Sequence, residues 1–259
     1  MNQIMKKSVL ALALFGAAGV AQAAVLSNQS YTEAGGIRAG ATTGTTPVAG
    51  AGVDGQLYGA KATFSHFANP SYLSGGAYKF SGRQLVADGL APGPAGPGPD
   101  HSKLGVWSFA KVGTQDVWFG EWDGESTTGA IGTKTAGTHT VFYAGENGNV
   151  ATTLPTAAPV SYSIKSINQF NGTLPTSTLT ANFNTKVASS SGDINFTGGT
   201  ISTVGTDVRL AATSVGVLSA SGTGGTLDGK FFGTGASAVA GIVKFADRNK
   251  DTAFGGTKN

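Results

Sequence analysis

The sequence predicts an all-β protein, with an N-terminal β-rich domain over residues 24–158 and a small antiparallel barrel of about eight strands over residues 159–259. Three observations carry this. Glycine accounts for 41 residues while only 12% of the chain is charged, a composition rich in turns and poor in solvated helix faces. Turn dipeptides (GG, NG, SG, DG, TG) recur at intervals of about eight to twelve residues, the spacing of sandwiches and barrels. Beyond the first two dozen residues, no segment repeats its apolar groups with a helical period.

Taken in order, Lys6 and Lys7, the apolar run SVLALALFGAAGV and the small-residue stretch AQA ending at Ala23 have the form of a secretory signal peptide over residues 1–23. The run is too short to span a bilayer. Without Lys6 and Lys7 the balance is 15 basic against 14 acidic residues, which leaves no basic patch for nucleic acid. There is no cysteine, hence no disulfide and no acceptor for an N-terminal lipid. The mature chain is expected to be soluble, exported and held together by its core.

Residues 24 to about 56, rich in Gly, Ala and Thr, read as a lead-in with one short strand. All three tryptophans fall in the next hundred residues, in strands expected at QLYGAKATF, AYKFSGRQLVA, KLGVWSFAKV, QDVWFGEW and THTVFYAG. The segment ATTLPTAAP (151–159) reads as a linker. Beyond it lie the short spaced strands YSIKSINQF, TLTANFNT, INFTGGTIS, VRLAATSVGVL, TLDGKFFG, AGIVKFA and TAFGGTK. Leu179, Ala181 and Phe183 alternate with Thr180, Asn182 and Asn184, giving one apolar and one polar face. Closing such strands into a barrel removes their exposed edges. Their shortness and threonine content argue against a lipid-embedded barrel, whose strands carry apolar outer bands and aromatic girdles.

No enzyme motif is present: there is no cysteine nucleophile, no GxSxG and no HExxH. Asp100, His101 and Ser102 are adjacent, and sequence neighbours rarely converge as a triad. Glu121, Asp123 and Glu125 share one face of a strand and read as solvated charge at its end. DRNKDT (247–252) opens like a calcium loop, lacks its glycine and its terminal glutamate, and reads as a hairpin turn. Three histidines remain. His139 falls within the strand THTVFYAG, where a structural role is the default. His66 follows a strand in TFSHFANPSYL, and His101 closes the proline-glycine run APGPAGPGPD. Two loops of one aromatic module thus each offer an imidazole beside large apolar groups, as a flat apolar ligand with an axial metal requires.

DVWFGEW, THTVFYAG, TLPTAAPVSYSIKSINQFNG, GKFFG and the terminal DTAFGGTKN resemble the Slam-dependent surface and secreted proteins, and among them the hemophilins, which are secreted haem-binding proteins. The resemblance implies a β-rich handle domain followed by a barrel like that of transferrin-binding protein B. It also implies haem as the ligand, captured outside the cell and delivered to a TonB-dependent outer-membrane receptor. Passage through the periplasm and a Slam translocon is implied too, with host haemoglobin among the partners it allows. Haem ligation in the family comes from handle-loop histidines, which leaves His66, His101 and His139 here, with His66 and His101 as the iron ligands. Many relatives are surface lipoproteins; the absence of a lipobox cysteine points to free release. Since non-haem members exist, a secreted adhesion or host-factor-binding protein of the same fold is the alternative.

Overall fold

The computed structural model describes residues 24–55, 61–148 and 150–259. Residues 1–23, read from the sequence as a signal peptide, and residues 56–60 with Tyr58 lie outside the described residues.

The C-terminal part is a closed eight-stranded antiparallel barrel. Its strands are β10 (Val160–Ile167), β11 (Thr176–Asn182), β12 (Val187–Gly192), β13 (Ile194–Val204), β14 (Asp207–Val217), β15 (Gly222–Phe232), β16 (Ala238–Lys244) and β17 (Thr252–Lys258). Closure comes from β10 pairing with β17, Tyr162 opposite Lys258. The alternation expected around Leu179 is present: Leu179, Ala181 and Phe183 are buried, while Thr180 and Asn184 are exposed. Tyr162, Ile164, Leu210, Phe231 and Phe254 fill the interior. Apolar lumen and polar free outer face give the opposite polarity to a lipid-embedded barrel. Strand β12 has no counterpart among the expected strands, because VASSSG turns only Ala188 and Ser190 inward. Val150, at the start of a 3-10 turn (Val150–Thr152), is wholly buried in the barrel core, so the segment after it leaves from a fixed anchor.

The preceding strands are β1 (Val25–Gln29), β2 (Ile37–Ala41), β3 (Ala49–Val53), β4 (Ala62–Thr63), β5 (Leu73–Ser74), β6 (Ala77–Ser81), β7 (Val106–Lys111), β8 (Val117–Asp123) and β9 (Thr140–Glu146). They form a six-stranded sheet ordered β1-β9-β8-β7-β6-β5 and a three-stranded sheet ordered β2-β3-β4. Along β8 the strand period of two separates two packing faces. Val117 and Phe119 join Val141 and Tyr143 against Ala240, Ile242 and Ala253 of the barrel wall. Trp118 and Trp122 join Trp107, Phe109 and Phe142 against the smaller sheet. The sheet is therefore covered on both sides, and Phe119 lies so close to the barrel that a Cβ at Gly255 would meet its ring at 2.5 Å.

Two expectations are corrected. The lead-in holds three strands, not one. Its small residues mark close approach rather than weak structure, since a Cβ at Gly50 would lie 2.4 Å from the Ala62 carbonyl oxygen. The strands read through Phe64 and through Gly82 give way to short helices, α1 (Phe64–Phe67) and α2 (Gly82–Ala87). Thr63 caps α1, its Oγ1 accepting from the His66 N–H at 3.1 Å. Ser81 caps α2, its Oγ accepting from the Gln84 N–H. Gly89, at φ +70°, then ends α2 with Gly89 N–H on the Val86 carbonyl and Leu90 N–H on the Leu85 carbonyl, a Schellman arrangement.

The β5–β6 turn seats directly on the barrel. At Gly75, φ is +57° and a Cβ would lie 1.8 Å from the Gly172 carbonyl oxygen. Gly75→Ala should cost about 1–3 kcal/mol through backbone displacement. An unchanged urea midpoint would mean that this contact does not hold the hairpin.

Candidate functional site

On the face of the aromatic layer away from the barrel lies a cleft of about 280 Å³. Phe80 forms part of its lining, and Phe67 stacks on both Phe80 (5.9 Å between centroids) and Trp107 (5.8 Å). One wall is α1 and the turn Pro70–Tyr72; the other is α2 and the chain from Leu90 to His101. His66 stands on the first wall and His101 on the second, so the structure brings these two into one apolar cleft. Leu90, also in the lining, is 57% exposed, an unusual position for a large apolar side chain unless something covers it.

The two imidazoles are held differently. His101 opens a 3-10 turn capped by Asp100, whose Oδ1 accepts from the Ser102 N–H. Its ring Nδ1 lies 2.8 Å from the Pro99 carbonyl oxygen. A carbonyl can only accept, so Nδ1 carries a proton, and in the neutral ring the lone pair then lies on Nε2, the form in which imidazole binds a metal. His66 is exposed, with its ring edge-on to Phe67 at 5.6 Å. Across the cleft, Tyr72 Oη donates to Asp88 Oδ2 at 2.6 Å, tying the walls together. Burial and this bond push the Tyr72 phenol up to about 12, so it stays a protonated donor.

His139 lies elsewhere. It sits one residue before β9 rather than within it, and is fully buried between sheet and barrel. Nδ1 lies 3.2 Å from Asp123 Oδ2 and Nε2 lies 3.1 Å from the Asp251 carbonyl. Around it, Glu121 and Asp123 are buried, a correction to the solvated face expected of them: the barrel covers that side of β8. Glu121 accepts from the Gln169 N–H (2.6 Å), the Phe170 N–H (2.9 Å) and Lys134 Nζ (3.0 Å). Lys134 Nζ also lies 2.8 Å from Asp123. Glu121, Asp123 and His139 have metal-ligand spacing, but the ammonium of Lys134 already bridges the two carboxylates. Glu125 instead accepts from Ser81 Oγ and the Arg83 N–H, fixing the start of α2.

Burial opposes the charged form of His139, yet its bond to Asp123 and the Glu121 charge outweigh this and raise its pKa. For Asp123, burial is likewise outweighed, by His139 and Lys134, and its pKa falls. The raised His139 value contributes stability that is complete below about 6.5 and is lost as pH rises through the folded value; the lowered Asp123 value contributes stability present above about 4 and lost in acid. Urea unfolding across pH should therefore show a decline on the alkaline side that is missing in His139→Gln. A parallel decline in that variant would assign it to another group.

The cleft fits a flat, apolar, metal-bearing ligand: two imidazoles, one with its tautomer already set, face an aromatic and aliphatic lining. Its volume of about 280 Å³ lies just below the roughly 300–1,000 Å³ common for small-molecule sites. Sequence reasoning placed the histidines in loops but missed Phe80, Leu85 and Leu90 as lining. The cap Ser81 and the stop Gly89 were the available signals for the helix that positions Leu85.

Two family models match: the HphA N-terminal heme-binding domain over residues 18–140 and the HphA C-terminal domain over residues 152–258. Among solved structures, the apo haemoglobin receptor HpuA from Kingella denitrificans is 14% identical with a TM-score of 0.54, covering 93% of this chain and 88% of that one. At that identity the likeness shows the fold. Intact Ap-TbpB, with N and C lobes, is 13% identical with a TM-score of 0.40 over 61% of this chain. Transferrin binding protein B from serogroup B Neisseria meningitidis is 14% identical with a TM-score of 0.36 over 59% of it. This chain spans 36% and 33% of the length of those two proteins.

Proposed function

Because this chain belongs to the HphA family, whose N-terminal domain binds haem, we propose that it is an extracellular haem-capture protein whose axial ligands are His66 and His101. The observation that carries the assignment is the meeting of these two histidines, distant in sequence, in one aromatic cleft. Haem supplies an iron that accepts imidazole nitrogen and a flat apolar face. Phe67, Phe80, Leu85 and Leu90 line the cleft and would cover that face, drawing affinity from the area taken out of water. The fixed proton on His101 Nδ1 presents Nε2 outward, and acid competes for the same lone pair, so affinity falls as pH drops. His139, with both ring nitrogens engaged between sheet and barrel, serves the fold.

In this reading, residues 24–158 form the haem-binding handle and residues 159–259 the barrel that a Slam translocon and a TonB-dependent outer-membrane receptor recognise. The chain reaches the periplasm by a signal peptide and leaves the cell through the translocon, with host haemoglobin among the haem sources this reading allows. The HpuA-like fold and the apolar-filled barrel support a role outside the cell without membrane insertion.

Titrating the mature protein with haem should give a saturable one-to-one Soret shift that is altered in His66→Ala and in His101→Ala but retained in His139→Gln. A shift that responds only to His139 would overturn the ligand assignment. No saturable shift in the parent would favour a non-haem adhesion or host-factor-binding protein.

A further inference from the structure

The cleft's two histidines are not equivalent, and we infer that His101 is the first and principal axial ligand, with His66 joining after the ligand is seated. This rests on the haem-capture reading and extends it to an order of engagement.

His101 is fixed at its backbone, its ring and its underside. Its N–H donates to the Pro92 carbonyl at 3.0 Å, and its own carbonyl accepts from the Leu104 N–H at 3.1 Å. The Pro99 carbonyl sets the ring's tautomer and direction. Beneath it, Gly82 of α2 packs so tightly that a Cβ there would lie 2.3 Å from the His101 carbonyl oxygen, which explains a glycine at the first position of that helix. The proline-glycine run is held as well: Gly93 lies against Val86, where a Cβ would sit 2.6 Å from Cγ1. A ligand group so oriented loses little freedom on binding.

His66 is fixed at its backbone alone, where its N–H donates to Thr63 Oγ1; its ring has no such partner. It rides on a four-residue helix with its ring exposed, and among the described residues neither ring nitrogen makes a hydrogen bond. Its wall is joined to the opposite one through Tyr72 and Asp88 at the exposed end of α2. The buried Phe64 anchors α1 itself, so the freedom on this side lies in the exposed His66 side chain, whereas His101 is held at both backbone and ring. His66 then binds at the cost of ordering its side chain, and contributes the smaller share of affinity.

The test is an equilibrium haem titration of mature His66→Ala and His101→Ala with spin state read by absorption and electron paramagnetic resonance. His66→Ala should keep saturable binding with a high-spin, singly ligated spectrum, while His101→Ala should lose about 10- to 100-fold more affinity, the range seen when a metal ligand's orientation is lost. Added imidazole should restore binding to His101→Ala if the variant is folded. A haem-free readout guards against misfolding: nitrogen NMR of the unliganded parent should show His101 as the Nδ1–H tautomer alone and His66 as a mixture. Equal losses in the two variants, a larger loss for His66→Ala, or a mixed tautomer for His101 would overturn the ordering. Unaltered spectra in both variants would instead sink the haem-ligand assignment beneath it.

Discussion

Glu121→Ala is expected to destabilise the protein by about 3–5 kcal/mol, the cost of removing one partner from a buried ion pair. Glu121 is wholly buried and receives two backbone N–H groups from the loop after β10, so the substitution strands those donors and leaves Asp123 as the remaining ion-pair partner of Lys134 and His139. For a domain of this size the loss corresponds to a melting point lower by roughly 10 °C. A loss below about 1 kcal/mol would show that the cluster does not fasten sheet to barrel.

Phe64→Ala should have a comparable effect on stability, about 3–5 kcal/mol, and a second effect on the cleft. Phe64 is fully buried and stacks on Phe142 (5.4 Å) and Trp118 (5.7 Å), also meeting Phe109 at 5.6 Å. It is the only fully buried residue of α1, the helix that carries His66 and Phe67. Truncation leaves a cavity and releases that wall, so haem affinity should fall even where the variant is fully folded. Leu179→Ala, in the barrel core, serves as the comparison: similar destabilisation, unchanged haem affinity once folded. If both variants bind haem as the parent does, α1 is not held by Phe64.

The barrel was legible because its strands alternate against a single core, as Leu179 to Phe183 do, and a period of two needs no knowledge of partners. Haem as the ligand came from the family resemblance; His66 and His101 were read in loops, whereas His66 lies on α1 and His101 opens a 3-10 turn. Glu121 and Asp123 were read onto one face of β8, where they are, but their burial depends on the barrel wall lying across that face. No local pattern announces such a neighbour. The lead-in failed for a related reason: Gly50 and Ala51 look like weak strand formers until β4 is placed against them. The short helix α2 was readable from Ser81 and Gly89, and was masked by the apolar run that continues from β6.

The pairing of β1 with β9, Val25 opposite Glu146, and of β10 with β17 has a kinetic consequence. Each sheet system joins its first strand to its last, so neither can finish until a long intervening stretch is in place. Contacts that distant in sequence make folding slow, on the scale of milliseconds to seconds or longer. A chain so arranged stays open through most of its synthesis. It completes both modules in late steps that lock together through the same two barrel strands, β16 and β17.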